Sequence, residues 1–125
     1  MRYKTFLPRF HHLIRAKIKD TTIRERAGLI VGERFALRYW TGKAYRSPMG
    51  WLGTAHCLCI VPIRLFDGDV VTVDGTSISQ AHLLDNLAIR DGFRDWSEMR
   101  EHFADRLPFV GEHTAWTDFR PGKPT

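Results

Sequence analysis

The sequence has only two cysteines in 125 residues, Cys57 and Cys59, too few for a disulfide framework. Two positions apart on a strand they would point to the same side, about 7 Å from each other and wrongly directed for a bridge. The expectation is a pair of buried thiols in a reducing, cytoplasmic setting. Long apolar runs are also missing. None approaches the ~20 residues that span a bilayer, and the basic start, Met1 to Phe10, is not followed by the apolar stretch of a signal peptide. No membrane partner is expected. The six histidines include the adjacent pair His11 and His12, but no H-E-x-x-H and no paired C-x-x-C occurs. Glu98 and His102, one helical turn apart, fit a surface pair. Thr41-Gly-Lys43 is too short for a phosphate-cradling loop. No metal or other cofactor is expected. Repeats, low-complexity blocks and Pro/Gly-rich linkers are absent too, so residues 1–119 form one expected domain and residues 120–125 a disordered tail.

Apolar residues at 43% and charged residues at 26% exclude general disorder. Four Trp and eight Phe supply a core of large rings. The net charge of +5 is unevenly divided: residues 1–46 hold 12 Lys/Arg against 3 acids, the remainder 7 against 11. An excess confined to one part of the chain points to one basic surface, with nucleic acid as the first partner to consider. A solvated positive face that only aids solubility is the plainer alternative.

Phe10, Leu13, Ile14 and Ile18 recur at helical spacing and predict a short amphipathic helix. Lys19-Asp20-Thr21-Thr22-Ile23-Arg24 reads as the entry to a strand, rich in β-branched residues. Arg34 to Trp40 alternates, with Phe35, Leu37 and Tyr39 on one side, and predicts a half-buried strand. Trp51 to Leu65 predicts a long strand in which Pro62 suggests an edge or bulge. Asp67-Gly68 turns into a strand at Val70–Val73. Ser79 is a candidate cap for a helix through Leu83, Leu84, Leu87 and Ala88, ending at Gly92. Asp95 with Glu98 caps a second helix whose buried stripe is Trp96, Met99 and Phe103. Glu112 to Phe119 alternates as a closing strand. The order α-β-β-β-β-α-α-β describes an α+β fold, a curved and mostly antiparallel sheet or partial barrel with helices packed on it.

Lys19-Asp-Thr-Thr-Ile-Arg24 resembles the K-x-x-T-I-R entry motif of ASCH domains, members of the PUA-like superfamily. Tyr39-Trp-Thr-Gly-Lys43, with Tyr45-Arg46, is similar to a loop of small phage and bacterial ASCH proteins. Ala88-Ile-Arg-Asp-Gly-Phe93 followed by Asp95-Trp-Ser-Glu-Met99 resembles the family's acidic-Gly-Phe and Trp-x-Glu-Met signature, and Leu107-Pro-Phe109 precedes the last strand. The resemblance runs from about Phe10 to Phe119. It implies a small β-barrel with a cleft between barrel and helices for RNA or modified nucleosides. Some members deacetylate 4-acetylcytidine with a Lys, a Thr and a later carboxylate, which fall here on Lys19, Thr22 and Asp91. Those enzymes carry Glu at the last place. Asp is one methylene shorter, a setback of roughly 1–1.5 Å, and misplacement of that size costs ~100-fold in rate.

The chemistry of these residues fits an amide hydrolysis: a Thr hydroxyl needs a base, and a lysine serves as one when burial or a neighbouring cation such as Arg24 lowers its pKa. A structural Lys19–Asp91 ion pair beside a strand-capping Thr is the alternative. The cations Arg24, Arg26, Arg38, Lys43 and Arg46 are interleaved with Tyr39, Trp40 and Tyr45, the mixture that contacts single-stranded RNA or nucleotides; Tyr39 shares the register of core-facing Phe35 and Leu37. The leading expectation is an RNA- or nucleotide-binding module with a basic cleft. The alternatives are an amidohydrolase acting on 4-acetylcytidine or a related nucleoside, a ribonuclease using Lys19 with Tyr39 or Tyr45, and a protein-interaction module.

Overall fold

The computed structural model describes residues 1–125. Its spine is β4 (Met49–Leu65), a 17-residue strand. β3 (Arg34–Trp40) pairs antiparallel with the first half of β4, and β5 (Val71–Val73) with its last three residues. On the other side β7 (Phe109–Pro121) runs antiparallel along β4 from Gly53 to Leu65 and carries β2 (Thr21–Arg24) on its outer edge. β1 (Tyr3–Thr5) adds to β3 in parallel, and β6 (Thr76–Ile78) adds to β5. Register shifts at Leu37/Arg38, Thr54/His56 and Cys57/Cys59 break the ladders of β4. Such bulges raise the local twist, and the sheet curls into a partly closed half-barrel. Three helices pack on it: α1 (His11–Arg15), α2 (Ala81–Arg90) and α3 (Trp96–Phe103). This is the expected α+β class. No helix is long and apolar enough to cross a membrane.

The core is a continuous cluster under the curled face, with Ile14, Phe35, Leu37, Leu52, Ile63, Leu65, Leu84 and Met99 fully enclosed. Rings meet edge to face, as Phe6 and Phe35 do around Trp116 at 5.8 and 5.9 Å between centroids, the arrangement that aromatic quadrupoles favour.

Several expectations change in detail. The first helix is only five residues long, preceded by a 3-10 turn at Pro8–Phe10. It stops because Lys17 takes a left-handed conformation (φ +62°), and the amides of Ile18 and Lys19 both return to the carbonyl of Leu13. Ser79 does not cap α2; the capping position is Gln80, without a side-chain bond. Pro62 is not on an edge strand, since it faces Glu112 of β7. Its other side lies where the β3 partner has ended and β5 is beginning, so the missing N–H breaks no established ladder. Cys57 and Cys59 do not share a side. The bulge at Leu58 sets them opposite successive residues, Trp116 and Ala115, which face opposite ways. β1 and β6 had no counterpart in the sequence reading, and β7 runs on through Arg120 and Pro121, into the segment expected to be a tail.

The Asp95 cap is present: its carboxylate accepts from the Glu98 amide at 2.9 Å. Glu98 reaches back one residue further than expected, to the Arg94 amide. Asp85 of α2 accepts from the Trp96 amide, and Asp69 of the β4–β5 turn accepts from the Trp96 indole N–H. Asp95→Ala is expected to cost ~1 kcal/mol, read as a lower urea midpoint with an unchanged slope.

Candidate functional site

Lys19 and Asp91 meet because the short segment between them in space is stitched from both ends. The Asp20 amide donates to the Arg90 carbonyl, and the Asp20 carbonyl accepts from the Trp116 amide, each at 3.0 Å. The Arg90 guanidinium also grips the Asp20 carboxylate through Nε and Nη2. The C-terminal end of α2 is thus fastened to the entry of β2, and Lys19 is driven under it.

There Lys19 is 2% exposed and Asp91 3%. The Lys19 Nζ donates to the Thr21 carbonyl at 2.6 Å and to the Asp91 carbonyl at 2.5 Å, while its distance to the Asp91 carboxylate is 3.8 Å. It also lies 4.7 Å from the Phe10 ring centre and 5.7 Å from that of Phe6. Asp91 is the capping residue at the C-terminus of α2, where the helix dipole presents partial negative charge to a cation. The hydroxyl that donates to the Asp91 carboxylate belongs to Thr21, at 3.0 Å. Burial lowers the Lys19 pKa from 10.5 to about 8, against the pull of Asp91 and with help from Arg24. Burial likewise raises Asp91 from 3.8 to about 6, against Lys19 and the Thr21 hydroxyl.

Above this floor opens a cavity of about 290 Å³. One wall is β1 and β2, with Thr5, Thr22 and Arg24; the opposite wall is Phe93 with His102, Phe103 and Arg106 from α3 and the 3-10 turn after it. Arg24 donates from Nε to the Thr22 hydroxyl oxygen at 3.1 Å and from Nη2 to the Thr5 carbonyl at 2.7 Å. Trp40 lines the mouth, and Tyr45 rests against it with ring centres 5.0 Å apart. Tyr45 is 86% exposed in the loop that also carries Lys43 and Arg46.

Of the residues singled out from the sequence, Lys19, Thr22, Arg24, Trp40 and Asp91 line one cleft, with Tyr45 beside Trp40. Lys43 and Arg46 are exposed in the adjoining loop. Arg26 is exposed beyond β2, where its carbonyl accepts from Lys4. Arg38 lies outside the cleft, its guanidinium 4.4 Å from the Trp51 ring centre and donating to the Met49 carbonyl. Tyr39 also lies outside, against His11. Six residues at the cleft, Thr21, Phe6, Phe93, Phe103, His102 and Arg106, did not stand out from the sequence as site residues. Thr21 was hidden by its neighbour Thr22, and Phe6 by a three-residue strand with no periodicity. Phe103 belongs to the buried stripe expected of the second helix and Phe93 to a signature stretch, and both join the core. His102 was paired with Glu98, but Glu98 turns to Arg9 at 2.6 Å and His102 stacks against Phe93. Arg106 carried no signal beyond its charge.

A partly closed antiparallel barrel with helices packed against it and a cleft between the two is the architecture of an ASCH domain. No family model and no curated sequence matches the chain, but solved structures do. The ASCH protein of Zymomonas mobilis superposes with a TM-score of 0.56 at 18% identity, over 95% of this chain and 68% of that one. A Tyr-to-Phe variant of that protein gives 0.58 over 98% and 73%, again at 18% identity, and a Ser-to-Ala variant gives 0.56. The likeness establishes the ASCH fold.

Proposed function

We propose that this chain is an ASCH module that binds RNA or nucleotides in the cleft floored by Lys19 and Asp91. The observation that carries this reading is the make-up of the cavity. Aromatic faces (Phe6, Phe10, Phe93, Phe103, Trp40) stand beside guanidinium groups in a space near the lower limit of ligand pockets, which run from roughly 300 to 1,000 Å³. Rings offer stacking to a base, and Arg24 and Arg106 offer charge to a phosphate. The exposed Lys43 and Arg46 next to Tyr45 extend the same chemistry outward along a strand of RNA. Affinity for single-stranded RNA is expected to fall steeply with added salt, log K dropping by about 0.7 per phosphate contact for each unit of log salt. Lys43→Gln combined with Arg46→Gln flattens that slope, and Lys19→Ala weakens binding. Salt-independent affinity, or none, in a fluorescence-anisotropy titration would refute the reading.

A second reading, amide hydrolysis on 4-acetylcytidine or a related nucleoside, is favoured by one feature. The two carbonyls that accept from Lys19 need only two N–H bonds, so the neutral amine satisfies both and keeps a lone pair. The Thr22 oxygen accepts from Arg24, leaving its own proton to be given up. Against this, the Lys19 ammonium reaches the Asp91 backbone more closely than its carboxylate, consistent with the shorter reach of Asp. Acetate release from 4-acetylcytidine, abolished by Lys19→Ala or Thr22→Ala, is the discriminating assay.

A further inference from the structure

We infer that the cleft is built for a phosphate monoester, either a mononucleotide or the phosphorylated end of a strand, with Arg24 and Arg106 receiving the phosphate. The inference rests on the nucleotide reading above and adds the charge and position of the ligand's phosphate.

The cavity is lined by three permanent or near-permanent cations, Lys19, Arg24 and Arg106, and by one carboxylate, Asp91. Asp91 is already engaged, with Lys19 beside it and the Thr21 hydroxyl on its Oδ1. Two positive charges are left in excess. Six arginines, Arg9, Arg34, Arg90, Arg94, Arg100 and Arg120, reach a carboxylate within 4 Å, but neither of the two arginines that line the cavity is among them. Arg24 and Arg106 reach none. Arg24 is half-buried and spends Nε and Nη2 on the Thr22 hydroxyl and the Thr5 carbonyl, which leaves Nη1 without an acceptor. Arg106 makes no hydrogen bond. Its guanidinium is propped on the Phe103 and Phe109 rings, 4.8 and 5.6 Å from their centres. Burial and the neighbouring Arg106 hold the His102 imidazole below its ordinary pKa, so at neutral pH the ring adds a donor or an acceptor without charge.

Half-burying the Arg24 guanidinium without a counter-ion is expensive, and the apolar walls concentrate the field of both uncompensated arginines, including the exposed Arg106. The arrangement is stabilised when an anion enters. A phosphate monoester carries about −1.5 to −2 charge near neutral pH and three strong acceptor oxygens, which matches the excess. An internal phosphodiester carries one negative charge per linkage and must continue in both directions. The cleft ends at the Lys19–Asp91 floor and favours a ligand that ends as well.

The test is calorimetric titration of the full chain at low salt with the four ribonucleosides, their 5′- and 3′-monophosphates, a dinucleoside monophosphate carrying only an internal diester, and inorganic phosphate. Charge-assisted hydrogen bonds at this count predict that at least one monophosphate binds ~10–100-fold more tightly than its own nucleoside and than the dinucleoside. Arg106→Gln, at an exposed position, cuts the monophosphate-to-nucleoside ratio to about 2-fold or less, and Arg24→Gln does the same in protein whose circular dichroism is unchanged. Inorganic phosphate competes with the monophosphate and not with the nucleoside. Equal binding of nucleoside and monophosphate, a dinucleoside bound as tightly as the monophosphate, or a ratio untouched by Arg106→Gln overturns the inference. If RNA or nucleosides bind without any preference for the monoester, this inference alone fails. If no probe and no single-stranded RNA binds, the nucleotide reading fails with it.

Discussion

Lys19→Met is expected to destabilise the protein by about 3–5 kcal/mol at pH 7, the usual cost of removing one partner of a buried ion pair. The methionine keeps the stem against Phe6 and Phe10 but leaves the Asp91 carboxylate enclosed with the Thr21 hydroxyl and without its ion-pair partner, only the more distant Arg24 remaining as a cation. Adding Asp91→Asn should recover more than half of the loss, because the amide oxygen still accepts from Thr21 and no charge remains buried. Urea unfolding of the two single variants and the double variant forms the cycle. A Lys19→Met cost below ~1 kcal/mol, the scale of exposed pairs, would show that the pair carries no more than a surface salt bridge.

The pH dependence follows from the two shifts. Asp91 is raised from 3.8 to about 6 by burial, so the folded state keeps a proton that the unfolded chain has given up. Its contribution to stability is full below pH 3.8 and is lost as pH rises through 6. Lys19 is lowered from 10.5 to about 8 by burial, and its contribution is full above pH 10.5 and lost as pH falls through 8. Between pH 6 and 8 both groups are charged and both desolvation costs are felt. Relative to the Lys19→Met/Asp91→Asn double variant, the wild-type protein is therefore least favoured in that window and gains on either side. The Lys19→Met single variant, conversely, recovers stability toward pH 5, where its isolated Asp91 takes up a proton. A difference between wild type and double variant that is flat from pH 4 to 10 would contradict both shifts.

Gly92→Ala is the second large effect. Gly92 sits just past α2 at φ +97°, and an added Cβ would stand 2.7 Å from Phe10 Cδ1 and 2.8 Å from Lys19 Cδ. The left-handed conformation costs a side chain roughly 1–2 kcal/mol, and overpacking adds about 1–3 kcal/mol. Both atoms struck belong to the floor of the cleft, so ligand affinity should fall together with stability. Gly75→Ala is the control. Gly75 is also left-handed, at φ +81°, but has nothing within 4 Å of an added Cβ. It should lose only the backbone part and bind ligand as before. Equal losses at the two sites would mean that the close packing of Phe10, Lys19 and the α2 terminus is not what Gly92 provides.

The strands long enough to alternate, the capped helix at Asp95 and the few residues that gather at the cleft were already legible in the order of residues. β3 and β4 emerged from the spacing of Phe35, Leu37 and the run up to Leu65. Lys19 and Asp91, 72 positions apart, were singled out together through the resemblance to ASCH motifs. Period and charge are local properties, and they survive into the fold wherever one face is buried.

Which groups become neighbours was settled by long-range packing. β1 and β6 are three residues each, too short to show a period, and exist because β3 and β5 offer them an edge. One bulged residue at Leu58 moved Cys57 and Cys59 to opposite sides, since a single extra residue reverses the phase of everything after it. Thr21 rather than Thr22 holds Asp91, because successive strand residues face opposite ways and the stitched Asp20 turned Thr21 toward α2. His102 of α3 and Arg106 of the 3-10 turn after it line the same cavity as Lys19 and Arg24, a placement set by packing between segments far apart in the chain that leaves no trace in the residues beside them.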